Sequence, residues 1–412
     1  MSVSTSRKPI PLYVGISFVA GGAVGAGMFS IPIVSSGMWF GWAAALLIFS
    51  WFCLCHSALM LLETNLNFKA GESFDTFVKA TIGNGWNNLN GLTMVFTLYT
   101  VTYAYVSGGG SIVNQTLDSG LGITLPPIVA GLSFAIVLSF FVWYSTGLAG
   151  RITSVLVISM VITFFISVGN LAPLIELPIL VDAEIGYGIY IFAAIPYFMA
   201  SYAFHSAVPS LVKYYGVDDV RKSRLSIVYG SLIALTIYLL WILVTQGNIA
   251  RDDFVPILEN GGNTGDLIAA LSETANSSTM TALINAFANF ALISSFFGVT
   301  IGLFDFIADK FKFGNDRMGR FKTALITFVP PTIGGVFFPN GFIYAIGLVG
   351  LFATVMSTFV PALCVRASRK KYGSERFLVW GGNKLIYLVL AYGTTVVICY
   401  FLGVVGLLPT FG

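Results

Sequence analysis

The chain has 412 residues, 56% of them hydrophobic and 9% charged, with a mean hydropathy of +0.86 and a net charge of +3. A soluble domain carries roughly 25% charged residues, so this composition excludes an ordinary soluble enzyme, and so slight a net charge gives no reason to expect nucleic acid. No polar linker divides the chain, which reads as one membrane domain over 1–412 with the lipid bilayer as its surroundings.

A helix crossing a hydrocarbon core of roughly 30 Å needs about 20 mostly apolar residues. In chain order the apolar runs predict spans near 11–36, 39–66, 86–116, 126–147, 152–174, 185–212, 225–247, 279–309, 323–338, 341–365 and 385–408. With the N-terminus inside, every Lys and Arg except Arg251 falls on the inner side. Cytoplasmic loops collect such charge, so crossings and orientation follow together: N-terminus cytoplasmic, C-terminus outside. Arg7-Lys8 precede a long first span with no clear small-residue cleavage site, which argues against a removable signal peptide. Cys53, Cys55, Cys364 and Cys399 fall within spans and read as small apolar packers, without the spacing of a metal cage or a disulfide framework.

The first span contains Gly21-Gly22-Ala23-Val24-Gly25-Ala26-Gly27-Met28, then Pro32. Each glycine weakens a helix by roughly 1 kcal/mol relative to Ala. Gly21 and Gly25 are spaced as a helix-packing pair. The alternative is an unwound segment that offers backbone groups to a ligand, which a membrane tolerates only within protein or along a cavity. The sixth span carries Pro196, then Ala200-Ser201-Tyr202-Ala203-Phe204-His205-Ser206, then Pro209, at a matching depth. Interruptions at matching places in two halves point to a transporter built from inverted repeats, with its site at the interruptions. Half-helix N-termini there would face an anionic group and freed carbonyls a cation.

Gly25-Ala26-Gly27-Met28-Phe29-Ser30-Ile31-Pro32 resembles the first-helix signature of the bacterial aromatic amino acid permeases. So do Ser73-Phe74-Asp75-Thr76, Thr102-Tyr103-Ala104-Tyr105, His205 with Val208-Pro209-Ser210-Leu211, Ser294-Ser295-Phe296-Phe297-Gly298, Gly302-Leu303-Phe304-Asp305, Phe338-Pro339-Asn340-Gly341 and Val379-Trp380-Gly381-Gly382. The likeness runs almost end to end. Asn65-Leu66-Asn67 and Lys213-Tyr214-Tyr215-Gly216 bring it closer to the tryptophan-specific members. The resemblance implies an all-α fold of the amino acid–polyamine–cation superfamily. That fold is a five-plus-five inverted repeat of leucine-transporter type (about 11–174 and 185–365), with helices 1 and 6 broken and an eleventh helix near 385–408. It also implies proton-driven uptake through a bacterial inner membrane, with no cofactor and no obligate protein partner.

On that likeness the backbone N–H groups of Ala26 and Gly27 are expected to hold a substrate carboxylate. Carbonyls around Gly22, Ala23 and Ala200 to Tyr202, Ser201 included, are expected to take its ammonium. Tyr103, Phe204 and Phe296 are expected walls for an aromatic side chain. Asn289 is the expected acceptor for an indole N–H, which can only donate. Intramembrane ionisable groups are functional candidates by default. Glu63 is expected to brace both unwound segments, His205 can titrate at a proton-coupled gate, and Asp305 shares a face with Asp309. His56 shares a face with Glu63 and reads as structural.

Two departures from the family stand out. The fifth span carries Met160 where the permeases have a lysine, and Ala203 and Ser206 stand where relatives tend to have glycine. Without that lysine, carbonyls of Gly21 and Val24 with hydroxyls of Ser294 and Ser295 could hold sodium, since hard cations take oxygen ligands. The proton is favoured and sodium stays open, as does a broader tyrosine, phenylalanine and tryptophan range. No continuous polar stripe suggests a channel. No paired nucleophile and base suggests an enzyme, and no phosphate loop suggests a pump.

Overall fold

The computed structural model describes residues 11–25, 27–181, 184–275, 277–373 and 376–412. Arg7, Lys8 and Ala26 lie outside them. With no water to satisfy backbone groups in a bilayer, an apolar chain must pair them within helices. All the longer regular elements described are helices. They are α1 (Leu12–Ala23), α2 (Gly27–Val34), α3 (Trp39–Asn65), α4 (Phe74–Leu121), α5 (Pro127–Tyr144), α6 (Thr146–Leu171), α7 (Leu177–Leu180), α8 (Ile191–Ser201), α9 (Ala207–Tyr215), α10 (Val220–Gln246), α11 (Phe254–Glu259), α12 (Thr264–Ala275), α13 (Ser278–Phe311), α14 (Arg317–Phe337), α15 (Phe342–Thr354), α16 (Val360–Lys371) and α17 (Gly382–Val404).

Among the described residues seven helices are long and apolar enough to cross a membrane: α3, α5, α6, α10, α13, α17 and α15 joined to α16 through a π-helical turn at Val355–Phe359. The pair α1 and α2, bent by 52°, makes up to eight. The other expected spans coincide with α4, with α8 and α9 together, and with α14. Proline interrupts the α14 ladder at Pro330 and Pro331. α4 begins at Phe74, twelve residues (86 − 74) before the expected start of the third span. Its first turns are set off by Gly83, whose φ of 88° is a left-handed conformation suited to glycine.

Small residues fix the closest helix approaches. A Cβ at Gly110 of α4 would stand 2.6 Å from Gly131 of α5, and one at Gly230 of α10 would stand 2.8 Å from the Ile16 carbonyl of α1. Arg320 of α14 donates to the Val142 and Trp143 carbonyls at the end of α5, at 2.7 Å each. α5 and α14 flank an apolar crevice of about 860 Å³. The four cysteines are buried.

Candidate functional site

α1 stops at Ala23 because the next residues leave helical geometry: Val24 is extended, with ψ 108°. α2 restarts at Gly27, where the Met28 N–H bonds back to the Gly25 carbonyl at 3.1 Å. α8 stops at Ser201, and α9 restarts at Ala207 after a short turn through Tyr202 to Ser206. Stopping a helix leaves its last carbonyls and first N–H groups without intrahelical partners.

The two interruptions meet. A Cβ at Gly27 would lie 3.3 Å from Ser201 Oγ and 3.4 Å from Ser201 Cα. Gly22 faces the Phe204 Cβ at 4.0 Å. Tyr238 of α10 joins them: its hydroxyl stands 2.6 Å from the Ala23 carbonyl and 2.7 Å from the Ser201 carbonyl. Its ring lies edge-on to Tyr202, with centroids 5.3 Å apart. The structure therefore brings Gly22, Ala23, Gly27, Ser201, Tyr202 and Phe204 to one place.

The glycines divide by task. Gly25 packs against α13 and α4, with Ser295 Oγ at 3.3 Å and the Tyr105 hydroxyl at 3.5 Å from its Cβ position. Nothing lies within 4 Å of a Cβ at Gly21, and Gly21 and Gly22 are exposed. Gly21 is not a helix-packing contact.

One turn along α2, Phe29 meets Trp241 at 5.8 Å and Phe287 at 5.6 Å between ring centroids. Phe164 of α6 closes the group against Phe287 at 5.4 Å. All four rings are buried, and the Trp241 indole N–H has no partner among the described residues. Met160, one turn before Phe164, is buried on the same helix.

His205 is fully buried and stacked on Phe204, with centroids 5.2 Å apart. Leu54 of α3 offers it a backbone group, but neither ring nitrogen makes a hydrogen bond of ordinary geometry. Asn289 donates from Nδ2 to Thr116 Oγ1 at 2.7 Å and to the Asn285 carbonyl at 2.9 Å. Thr116 in turn donates to the Ile112 carbonyl, so that network leaves Asn289 Oδ1 as an acceptor.

Other expected residues face elsewhere. Glu63 sits in a lock at the end of α3. Its carboxylate takes Arg369 Nε and Nη2 at 2.7 Å each and the Val379 N–H at 2.8 Å. Among the described residues these partners come from α16 and the segment before α17, whereas the sequence reading assigned Glu63 to the interruptions. Tyr103 donates to the Phe338 carbonyl at 2.9 Å, against the turn after α14. Phe296 packs between Phe134 of α5 and Phe328 of α14. Both point into helix contacts because an aromatic residue marks no face by itself. Asp305 is exposed near the C-terminal end of α13. His56 donates from Nδ1 to the Phe52 carbonyl at 2.7 Å, an internal helix contact.

Of the expected sodium ligands, Ser295 adjoins the interruption through Gly25, whereas the buried Ser294 donates to the Ala291 carbonyl at 3.2 Å. Among the described residues no group of three His, Cys, Asp or Glu could hold a metal ion. Tyr238, Phe29, Trp241 and Arg369 escaped the sequence reading. A tyrosine midway along an apolar span was the available signal for the first.

Residues 9–400 match the tryptophan/tyrosine permease family. A tryptophan-specific transport protein of Pseudomonas aeruginosa is 49% identical over 98% of both chains. One of Shigella flexneri is 45% identical over 100% of this chain and 99% of its own. A tyrosine permease of Enterobacter agglomerans is 38% identical over 98% of this chain and 99% of its own.

Proposed function

We propose a function from one premise: the chain belongs to the tryptophan/tyrosine permease family. It is a multi-pass membrane permease and not an enzyme. Our reading is a secondary-active symporter that imports aromatic amino acids, L-tryptophan first, across a bacterial inner membrane with its N-terminus inside. The observation that carries it is the meeting of two interrupted helices at Tyr238. Taken as the first and sixth spans of a five-plus-five repeat, α1–α2 and α8–α9 supply opposite charge preferences at one point. The starts of α2 and α9 suit a carboxylate, and the ends of α1 and α8 suit an ammonium. The substrate side chain would extend toward Asn289, whose Oδ1 can accept an indole N–H.

For coupling we favour the proton, with His205 as its carrier. The histidine lies within the second interruption and has no competing hydrogen bond of ordinary geometry. The sodium reading rests on Ser295 against Gly25 and on Met160 in place of a lysine. Uptake of radiolabelled tryptophan into proteoliposomes, with proton and sodium gradients imposed separately, decides between them. Accumulation with an inward proton gradient in sodium-free buffer is expected. Accumulation that requires sodium and ignores the pH gradient refutes proton coupling, and no tryptophan uptake under either gradient refutes the substrate.

A further inference from the structure

Tyr238 has one proton and two acceptors. Its hydroxyl is completely buried between the carbonyls of Ala23 and Ser201, at 2.6 and 2.7 Å. Each carbonyl ends its helix, so each lacks an intrahelical donor and carries the negative end of a helix dipole. One O–H cannot serve both at full strength, and a buried carbonyl short of a donor is destabilising. On the Gly21–Gly22 side the space is open. The carbonyl pair thus has fewer donors than acceptors, beside the exposed Gly21 and Gly22.

A primary ammonium supplies donors, three on one cation. We propose that Tyr238 holds the Ala23 and Ser201 carbonyls at the spacing of an amino group, and so selects substrates that bear a free α-amino group. The tyrosine is a positioning and specificity residue. Its ring anchors on Tyr202, and its hydroxyl keeps two helix ends of like partial charge from separating before substrate arrives. This rests on the reading of the protein as an amino acid permease.

The test compares tryptophan with indole-3-propionate, which keeps the indole and the carboxylate and lacks the amino group. Each competes for labelled tryptophan uptake in proteoliposomes. Wild type should reject indole-3-propionate. Tyr238→Phe keeps the ring and removes the donor. It should raise the tryptophan KM about tenfold, leave the maximal rate within about twofold, and narrow the ratio of the two inhibition constants at least tenfold. Tyr99→Phe is the control, since that α4 hydroxyl donates to the Ile326 carbonyl of α14, away from the junction, and its ratio should stay at the wild-type value. An unchanged ratio in Tyr238→Phe, or an equal shift in both variants, overturns the proposal. Should Tyr238→Phe fail to accumulate, thermal stabilisation of the wild-type protein decides. Tryptamine, which keeps the ammonium and lacks the carboxylate, must then stabilise, and stabilisation by indole-3-propionate alone overturns it. Absence of tryptophan uptake by wild type is a different result and strikes the functional reading.

Discussion

Replacing Glu63 by glutamine separates two accounts of that residue. A buried carboxylate that carries the coupling proton should survive the change structurally and lose only gradient-driven accumulation. The structure predicts the opposite. Glu63→Gln leaves the Arg369 guanidinium without the carboxylate that it grips through two bonds of 2.7 Å. Breaking a buried pair from one side costs ~3–5 kcal/mol. The Arg369 side chain is 19% exposed and that of Glu63 1%, so water relieves part of the stranded charge and the lower figure applies. At about 2 °C per kcal/mol for a large chain, the loss is a fall of about 6 °C in melting temperature. Fluorescence-monitored melting of the detergent-solubilised protein measures it, alongside accumulation and exchange in proteoliposomes. Glu63→Gln with Arg369→Gln should recover part of the loss, since no charge is then left unpaired. A melting temperature within about one degree of wild type, with accumulation abolished and exchange intact, would refute this reasoning and return the proton to Glu63.

Asn289→Ala should weaken tryptophan by about 5- to 150-fold, the range that ~1–3 kcal/mol for a lost buried partner implies. Phenylalanine, which has no ring donor, should suffer far less. Equal losses in competition assays would remove Asn289 from the side-chain site. At Gly27 the added Cβ meets Ser201 at 3.3 Å, so Gly27→Ala should retain partial uptake and the β-branched Gly27→Val none at matched expression. Normal uptake by the valine variant would show that the two interruptions need no close approach. Asp219 and Asp266, both outside the spans, should titrate with opposite signs. The Lys222 ammonium bonded to Asp219 holds its carboxyl below the usual range, so its stabilisation is present above the ordinary value and fades as pH falls through the lowered one. Burial pushes the Asp266 carboxyl up against the partial pull of the Asn260 amide, so stability falls as pH rises through the raised value. Melting temperatures of wild type, Asp219→Asn and Asp266→Asn between about pH 3 and 7 check both slopes, and each variant should flatten its own.

The helix ends at Ala23 and Ser201 fall where local chemistry in the sequence weakens a helix. Glycines crowd residues 21–27, and prolines bracket 196–209. What joins them was not legible. Tyr238 lies 215 residues from one carbonyl and 37 from the other, and one tyrosine among 18 sends no local signal. Arg369 was read as one more inner positive charge. Its pairing with Glu63 across 306 positions depends on how α16 returns beside α3. Tyr103 and Phe296 take neighbours on α5 and α14 and in the turn after it, and residue type alone does not say which neighbours a ring takes. Asn289 bonds to its own helix and to α4, as an amide within a span must find partners.

The burial of all four native thiols has a practical consequence. Cys53, Cys55, Cys364 and Cys399 are at most 5% exposed, and buried thiols are inert toward polar alkylating reagents. The wild-type chain is thus already a silent background for site-directed labelling. Gly21, Gly298 and Gly302 have nothing within 4 Å of an added Cβ, so each can accept a reporter cysteine without repacking. Maleimide applied from one face of the bilayer or the other, with and without tryptophan, would then time the opening of each face directly on the otherwise unaltered protein.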